Sequence, residues 1–422
     1  MEKLPQSLSM NERKAVTRRL APRYQRATKK ERKAILDEFT NLTGYHRTYA
    51  SFALHNWGRK RVLTVGGVRS IYVFGKPRKR TPSRHYRIYD ARIMPSLKYF
   101  WALSSGLCGK LLAPFIRTTL FILEHYEELT ITSEIKQKLL AISPATIDRL
   151  LKSERNKLRL KGRSTTKPGT LLKHQIPIRT FSEWNENTPG FVEIDLVAHD
   201  GGIPDSDVIH TLDLTDVATS WTETRALKTK AQMWVLKALR NICEVLPFTI
   251  KGIDSDNGGE FINKQLYAYC VEHRITFTRS RPYRKNDSCF VEQKNYSIVR
   301  KTVGYYRYDT DEELVILEQL YTVLRLFTNF FLPVMKLTSK TRNGSKVKKT
   351  YDRPATPYER VLRHPDISTT VKRRLTAQYH RLNPADLQRQ ISQLQEKLIT
   401  LAQRKNTAIS QRRKKLFNKI FS

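Results

Sequence analysis

Between residues 181 and 332 the apolar pattern changes period in an order that few folds can accommodate. Phe191 to Ala198 is an apolar, β-branched run, and His210 to Ala226 has room for two more strands. Ala231 to Leu246 has helical spacing through Trp234, Leu236, Leu239, Ile242 and Val245. Thr249 to Asp254 reads as a strand, Phe261 to His273 as a helix, and Ile275 to Ser280 as a fifth strand. Helical patterns over Phe290 to Tyr305 and Asp311 to Phe331 follow. Three strands, then helix, strand, helix, strand and further helices predict a mixed α/β sheet covered by helices.

Three acids fall where such a sheet places a site. Asp195 ends the first strand, Asp256 follows the fourth, and Glu292 opens the helix after the fifth; 60 residues separate the first two and 35 the last two. Strand ends that meet at one edge of an open α/β sheet form its usual binding crevice. Carboxylates converging there can hold two divalent ions, which activate a water or a 3′-hydroxyl and stabilise the leaving oxygen of a phosphodiester. Any one of these acids alone would read as a solvated surface charge. Two neighbours compete for the roles: Asp254 shares the strand face of Asp256, and Glu193 that of Asp195.

The charge balance names the partner. Of 422 residues, 77 are Lys or Arg and 39 Asp or Glu, a formal net charge of +38. A compact state carrying that charge repels itself unless a polyanion shares its surface. Because the basic residues run along the whole chain, the expected partner is long double-stranded DNA making many phosphate contacts. No apolar run reaches about 18 residues, and no charged-then-apolar leader opens the chain. The four cysteines (Cys108, Cys243, Cys270, Cys289) form no Cys-x-x-Cys pair, so neither a zinc site nor a disulfide framework is expected, and a reducing cytoplasm fits.

Outside the α/β region the chain reads as helical DNA-binding units and a basic tail. Residues 1–88 carry two helical patterns around the turn Asn41 to Gly44, which is helix-turn-helix spacing, with His46, Arg47 and Asn56 on the second helix. Gly75 to Arg87 is expected to be a basic wing or linker. Residues 89–162 form a second helical unit whose last helix starts at Ser143 and Pro144. There Ile147, Leu150, Leu151 and Leu158 point inward, and Arg149, Lys152, Arg155 and Lys157 lie on other faces. Residues 163–180 read as a linker and 181–332 as the α/β core. Residues 333–382 form a small basic β module around the hairpin signal Asn343-Gly344. Residues 383–422 form a helix with a Leu387, Ile391, Leu394, Leu398, Leu401 stripe and a basic tail. That stripe pairs either with a second subunit or with the chain's own body.

The segments EIDLVAH, DSDNGGEF and NDSCFVEQKN resemble the catalytic core of DDE transposases and retroviral-type integrases, most closely bacterial insertion-sequence transposases. The likeness extends through IPIRTF, SRPYRKND, PVMKL and TPYER, about residues 175 to 365. It implies an RNase H-like core with Asp195, Asp256 and Glu292 as catalytic and metal-binding residues. It favours Asp256 over Asp254, because Asp-Asn-Gly is the matching motif. It further implies two Mg²⁺ ions, replaceable by Mn²⁺, with Asp195 bridging both. Water attack would free a 3′-OH at a transposon end, and that 3′-OH would then attack target DNA. Arg281, Arg284 and Lys285 would lie in a loop gripping the scissile strand, and Asn295 and Arg300 on the catalytic helix beside the DNA. The expected protein works as a homo-oligomer on DNA, in a bacterial cytoplasm and nucleoid. Retroviral integrases carry an N-terminal His/Cys zinc module, which this sequence lacks, so helix-turn-helix units would recognise the ends. The alternatives are a DNA-binding regulator that has lost catalysis and an RNase H-like nuclease without strand transfer.

Overall fold

A computed structural model describes residues 8–65, 68–75, 88–157, 188–203, 207–256, 258–280, 289–343 and 346–421. Its contacts divide the chain into two units, Met1–Arg87 and Ile88–Ser422.

In the first unit, α1 (Met10–Arg26) and α2 (Lys29–Thr43) both begin with capping boxes, Ser9 with Glu12 and Thr28 with Glu31. Each box satisfies helix N–H groups that have no partner within the helix. Gly44, at φ 67°, ends α2 and donates its N–H to the Thr40 carbonyl. This left-handed position favours glycine. A three-residue turn leads into α3 (Arg47–Asn56), and the three helices close on Ala21, Ile35, Phe39, Ala50 and Leu54. An antiparallel hairpin follows, β1 (Lys60–Val65) with β2 (Val68–Val73). Just beyond β2, Phe74 stacks edge-on against Phe52 of α3, with ring centroids 5.2 Å apart. The hairpin thus lies ahead of the basic stretch expected to form a wing. Of that stretch, residues 76–87 lie outside the described residues.

The second unit opens with α4 (Met94–Leu103), α5 (Gly109–His125), α6 (Ser133–Ala141), α7 (Pro144–Leu150) and α8 (Lys152–Lys157). The last expected helix is therefore two, broken at Leu151. Ser143 caps α7 as its sequence suggests, accepting from the Thr146 N–H. These helices and the sheet bury their apolar faces in one continuous core.

The sheet is built from β3 (Phe191–Ala198), β4 (His210–Asp216), β5 (Thr222–Leu227), β6 (Gly252–Ser255) and β7 (Thr276–Arg279), in the order β5-β4-β3-β6-β7. The first three run antiparallel, and β6 and β7 run parallel to β3. This is the mixed sheet anticipated from the segment order. Between strands lie α9 (Gln232–Val245) and α10 (Lys264–Glu272). After β7 come α11 (Cys289–Lys294), a π-helical turn (Asn295–Arg300) and the short α12 (Lys301–Val303). Next is α13 (Asp311–Phe331), opened by a Thr310/Glu313 capping box. It is the one described helix long and apolar enough to cross a membrane. Here Leu317, Leu320, Leu324 and Phe327 are buried against the rest of the unit.

The chain then forms the hairpin β8 (Leu337–Asn343) and β9 (Lys346–Tyr351), α14 (Pro357–Arg363), α15 (Thr369–Tyr379) and α16 (Pro384–Phe421). The stripe on α16 packs on the chain's own body: Leu387, Ile391 and Leu398 are buried in the common core, largely along α13. Polar ties reinforce it. Arg389 holds Glu128 through both nitrogens, at 2.7 and 2.8 Å, and Lys405 reaches Asp309 and Glu313 at 2.6 and 2.9 Å.

Candidate active site

Side chains alternate between the two faces of a strand. On the face opposite the apolar Ile194, Leu212, Leu214 and Ile253, the register therefore sets polar groups side by side. Asp195 faces Asp213, Glu193 faces both Thr215 and Asp254, and Asp254 faces Thr278. Helix α11 covers this polar face against β3 and β4. A period-two pattern of this kind ordinarily marks a solvated face, but here a helix has closed over it.

Asp195, on β3, is partly buried. One carboxylate oxygen accepts from the Leu196 N–H at 2.8 Å, and the other from Asn295 Nδ2 at 2.6 Å. Burial pushes this carboxyl up to about 7; the neighbouring Asp256 carboxylate adds to the shift, and Glu292 contributes further. The three acids thus share one electrostatic neighbourhood. Asp256 lies just past β6, partly exposed, and accepts from the Gly258 N–H at 2.8 Å; its pKa is raised, chiefly by burial. A Cβ at position 258 would stand 2.9 Å from the Asp256 oxygen and 2.6 Å from Glu260, so a larger residue there would push both carboxylates aside. Glu292, in the first turn of α11, is exposed.

The competing acids have other positions. Asp254 is buried inside β6 and accepts from Thr278 Oγ1 at 2.6 Å. Glu193 is fully buried and accepts the Val291 N–H at 2.9 Å, which ties β3 to the start of the helix that carries Glu292. Two further groups escaped the sequence reading. Asp213 is fully buried, and neither of its oxygens has a hydrogen-bond partner. Burial drives its pKa well up. Lys294, also buried, is pushed down to about 8 by desolvation, against the pull of Asp213. The only sequence signal for this pair was an acid in the middle of a strand, and it needed the position of α11 to be interpreted.

Asn295 and Arg300 were expected on one face of a regular helix. The π-helical turn that begins at Asn295 changes this, because its wider winding rotates the residues that follow. Asn295 points to Asp195, whereas Arg300 turns to the sheet, donating to the Ala198 carbonyl at 2.7 Å and lying 4.9 Å over the Tyr305 ring. Arg47 is exposed and paired with Asp37. Arg149 is exposed and donates to Thr146 Oγ1 at 3.0 Å, and Lys152 is exposed at the start of α8. Arg155 is occupied by Asp148 and the Leu107 carbonyl. Arg281, Arg284 and Lys285 lie outside the described residues, as does the side chain of Lys157.

Hard carboxylate oxygens that repel one another suit a hard divalent cation such as Mg²⁺. Among the described residues, no three or more His, Cys, Asp or Glu side chains gather closely enough to surround a single ion. The hard-oxygen chemistry of the donors, rather than a closed ligand shell, is what fits such a cation.

Fold and site define a helix-covered, mixed five-stranded sheet whose central strand carries Asp195 at mid-strand, within electrostatic reach of Asp256 and Glu292. No family model matches the chain. The uncharacterized protein y4rM of Sinorhizobium fredii is 37% identical over 356 residues, which span 84% of this chain and 96% of that protein. The chain belongs to the same family as y4rM. Among solved structures, the HTLV-2 integrase catalytic core domain in complex with magnesium is 13% identical. That match spans 35% of this chain and 90% of that one, with a TM-score of 0.26. The catalytic core domain of BIV integrase is 14% identical, spans 40% and 91%, and has the same TM-score of 0.26. A likeness at that TM-score carries no argument about function.

Proposed function

We propose that this protein is a DDE-type DNA transposase that frees a 3′-OH at a transposon end and joins it to target DNA. One observation carries the reading: Asn295, one turn after Glu292, donates to Asp195 at 2.6 Å, tying the helix that carries Glu292 to the strand that carries Asp195. Asp195, Asp256 and Glu292 would hold the divalent cations. Bound there, the cations would supply Lewis-acid activation of the attacking oxygen and stabilise the leaving one.

The chain's own residues preorganise these oxygens. Asn295 fixes one oxygen of Asp195, the Gly258 N–H orients Asp256, and Glu193 anchors the start of the helix that presents Glu292. In the first step a P–O bond forms to a water oxygen and the bond to the 3′-oxygen breaks. In the second, that 3′-oxygen attacks a target phosphorus and displaces the target's own 3′-oxygen. The three-helix unit with its hairpin, and the α6–α7 pair with Arg149 followed by Lys152 at the start of α8, would read DNA ends. Copies would assemble on paired ends, in the bacterial cytoplasm.

Strand transfer with Mg²⁺, using duplexes taken from the DNA flanking the gene, tests the reading. Wild-type protein should nick and join, while Asp195→Asn and Glu292→Gln should bind the same duplexes and do neither. Wild-type protein that binds without nicking in either Mg²⁺ or Mn²⁺ would overturn it in favour of a DNA-binding regulator. Nicking without joining would instead mark a nuclease.

A further inference from the structure

The β8–β9 hairpin is an unusual piece of sheet. Every side chain described from Thr338 to Tyr351 is exposed, on both faces. An isolated two-stranded ribbon without an apolar face is at best marginally stable in water. The register adds a further cost, because Lys340 stands directly opposite Lys349, with Arg342 on the diagonal. Like charges directly opposite one another destabilise a strand pair. Lys348 stands on the other face, opposite Thr341. No acidic residue occurs from Lys336 to Tyr351, and Lys340, Lys348 and Lys349 have no carboxylate partner among the described residues.

The foot of the ribbon, by contrast, is firmly held. Asp352 accepts the Lys336 N–H at 2.7 Å and Arg360 Nη1 at 2.6 Å, and Arg360 Nη2 donates to the Val334 carbonyl at 3.1 Å. Val334 and Ala355 form a bridge, and Lys336 Nζ donates to the Ala218 carbonyl at 2.9 Å. A rigid foot under a solvated, self-repelling ribbon makes sense if the ribbon's stabilising contacts come from outside the chain and are anionic.

We infer that the β8–β9 ribbon is a binding element for duplex DNA, seated along the backbone or in the major groove. That groove, about 12 Å wide, admits a two-stranded β-ribbon. Seven residues of strand extend about 24 Å, enough to follow several base pairs, with lysines available on both faces. The foot also separates this element from the acids. Ala218 lies in the turn after β4, whose last residue, Asp216, is about 10 Å along the strand from Asp213, which is level with Asp195. This inference rests on the reading of the protein as DNA-acting.

The test compares the full-length wild type, Lys340→Ala/Lys348→Ala/Lys349→Ala, and Asp195→Asn on a labelled duplex of about 30 base pairs. Each phosphate contact steepens the fall of log affinity with log salt by about 0.9. Between about 50 and 200 mM salt, wild-type affinity should therefore fall about 40-fold more than that of the triple variant. Asp195→Asn should follow the wild type, and the melting temperature of the triple variant should match it. A triple variant with wild-type affinity and salt slope overturns the ribbon's role and leaves the transposase reading standing. A wild type that binds no duplex overturns both. Loss of binding to phosphatidylserine vesicles in the triple variant, with duplex binding unchanged, would assign the ribbon to a membrane surface instead.

Discussion

Asp195→Asn should make the cation-free protein more stable at neutral and alkaline pH, although it removes a group assigned to the reaction. The carboxyl of Asp195 is held up to about 7 against an ordinary 3.8, first by burial and then by Asp256 and Glu292. A carboxyl raised in the fold favours the protonated native state, so its contribution is fully present below about pH 4 and is lost as pH rises to about 7. A gap of that size corresponds to at most about 4 kcal/mol. Asp195 is only partly buried, and halving the figure for solvent screening leaves about 2 kcal/mol. In the 335-residue unit from Ile88 to Ser422 this amounts to roughly 3 °C in melting temperature. Asparagine keeps the shape and can still accept from Asn295 Nδ2, but its amide nitrogen cannot accept the Leu196 N–H, which offsets part of the gain. Calorimetry in EDTA should show wild type and variant melting together at pH 4 and the variant melting higher at pH 8. Added Mg²⁺ should raise the wild type and leave the variant unmoved. A variant no more stable than the wild type at pH 8 would refute the claim that the three carboxylates repel one another in the native state.

Two further outcomes follow from single contacts. Glu193→Ala removes the acceptor for the Val291 N–H at the start of α11; loss of such a cap costs about 1–2 kcal/mol, and strand transfer should then need more Mg²⁺. Glu193→Gln, which keeps an acceptor oxygen, should restore most of the activity, and a Mg²⁺ titration of the joining reaction checks both variants. Arg325 holds the fully buried Glu223 through two contacts of 2.7 Å. Arg325→Ala leaves Glu223 with Arg225 at 3.4 Å and the Trp221 indole N–H, so it should destabilise the protein in urea by about 1.5–3 kcal/mol, whereas Arg325→Met with Glu223→Gln should lose clearly less.

The core was largely legible because its strands and helices differ in period, and because Thr310/Glu313 and Ser143/Pro144 mark helix starts chemically. What the sequence concealed depends on contacts distant along the chain. Glu193, Asp213 and Asp254 read as outward-facing members of alternating strands, and only the placement of α11 over that face makes them buried. The π-helical turn has no local signature: Asn295 and Arg300 look evenly spaced until one is drawn to Asp195 and the other to Ala198. The β1–β2 hairpin has a local signal, Gly66-Gly67 between two β-branched runs, which the dense positive charge of Gly75 to Arg87 outweighs. The DNA-contact residues remain the least specified, since a surface arginine such as Arg149 gives no sequence sign of what it will touch.

The ties made by α16 give the protein a timetable. Arg389 and Glu128 are 261 residues apart, and Lys405 closes onto Asp309 and Glu313 more than 90 residues upstream. A ribosome adding about 5–20 residues per second takes roughly 13–50 s to travel from Glu128 to Arg389. Through that interval α5 waits for its partner, and once α13 has been made the side that α16 will cover faces water until α16 follows. Chaperone demand during synthesis should therefore concentrate on the nascent chain between the emergence of α13 and that of α16. A slow codon run placed in that window should lower the yield of folded protein more than the same run placed before β3.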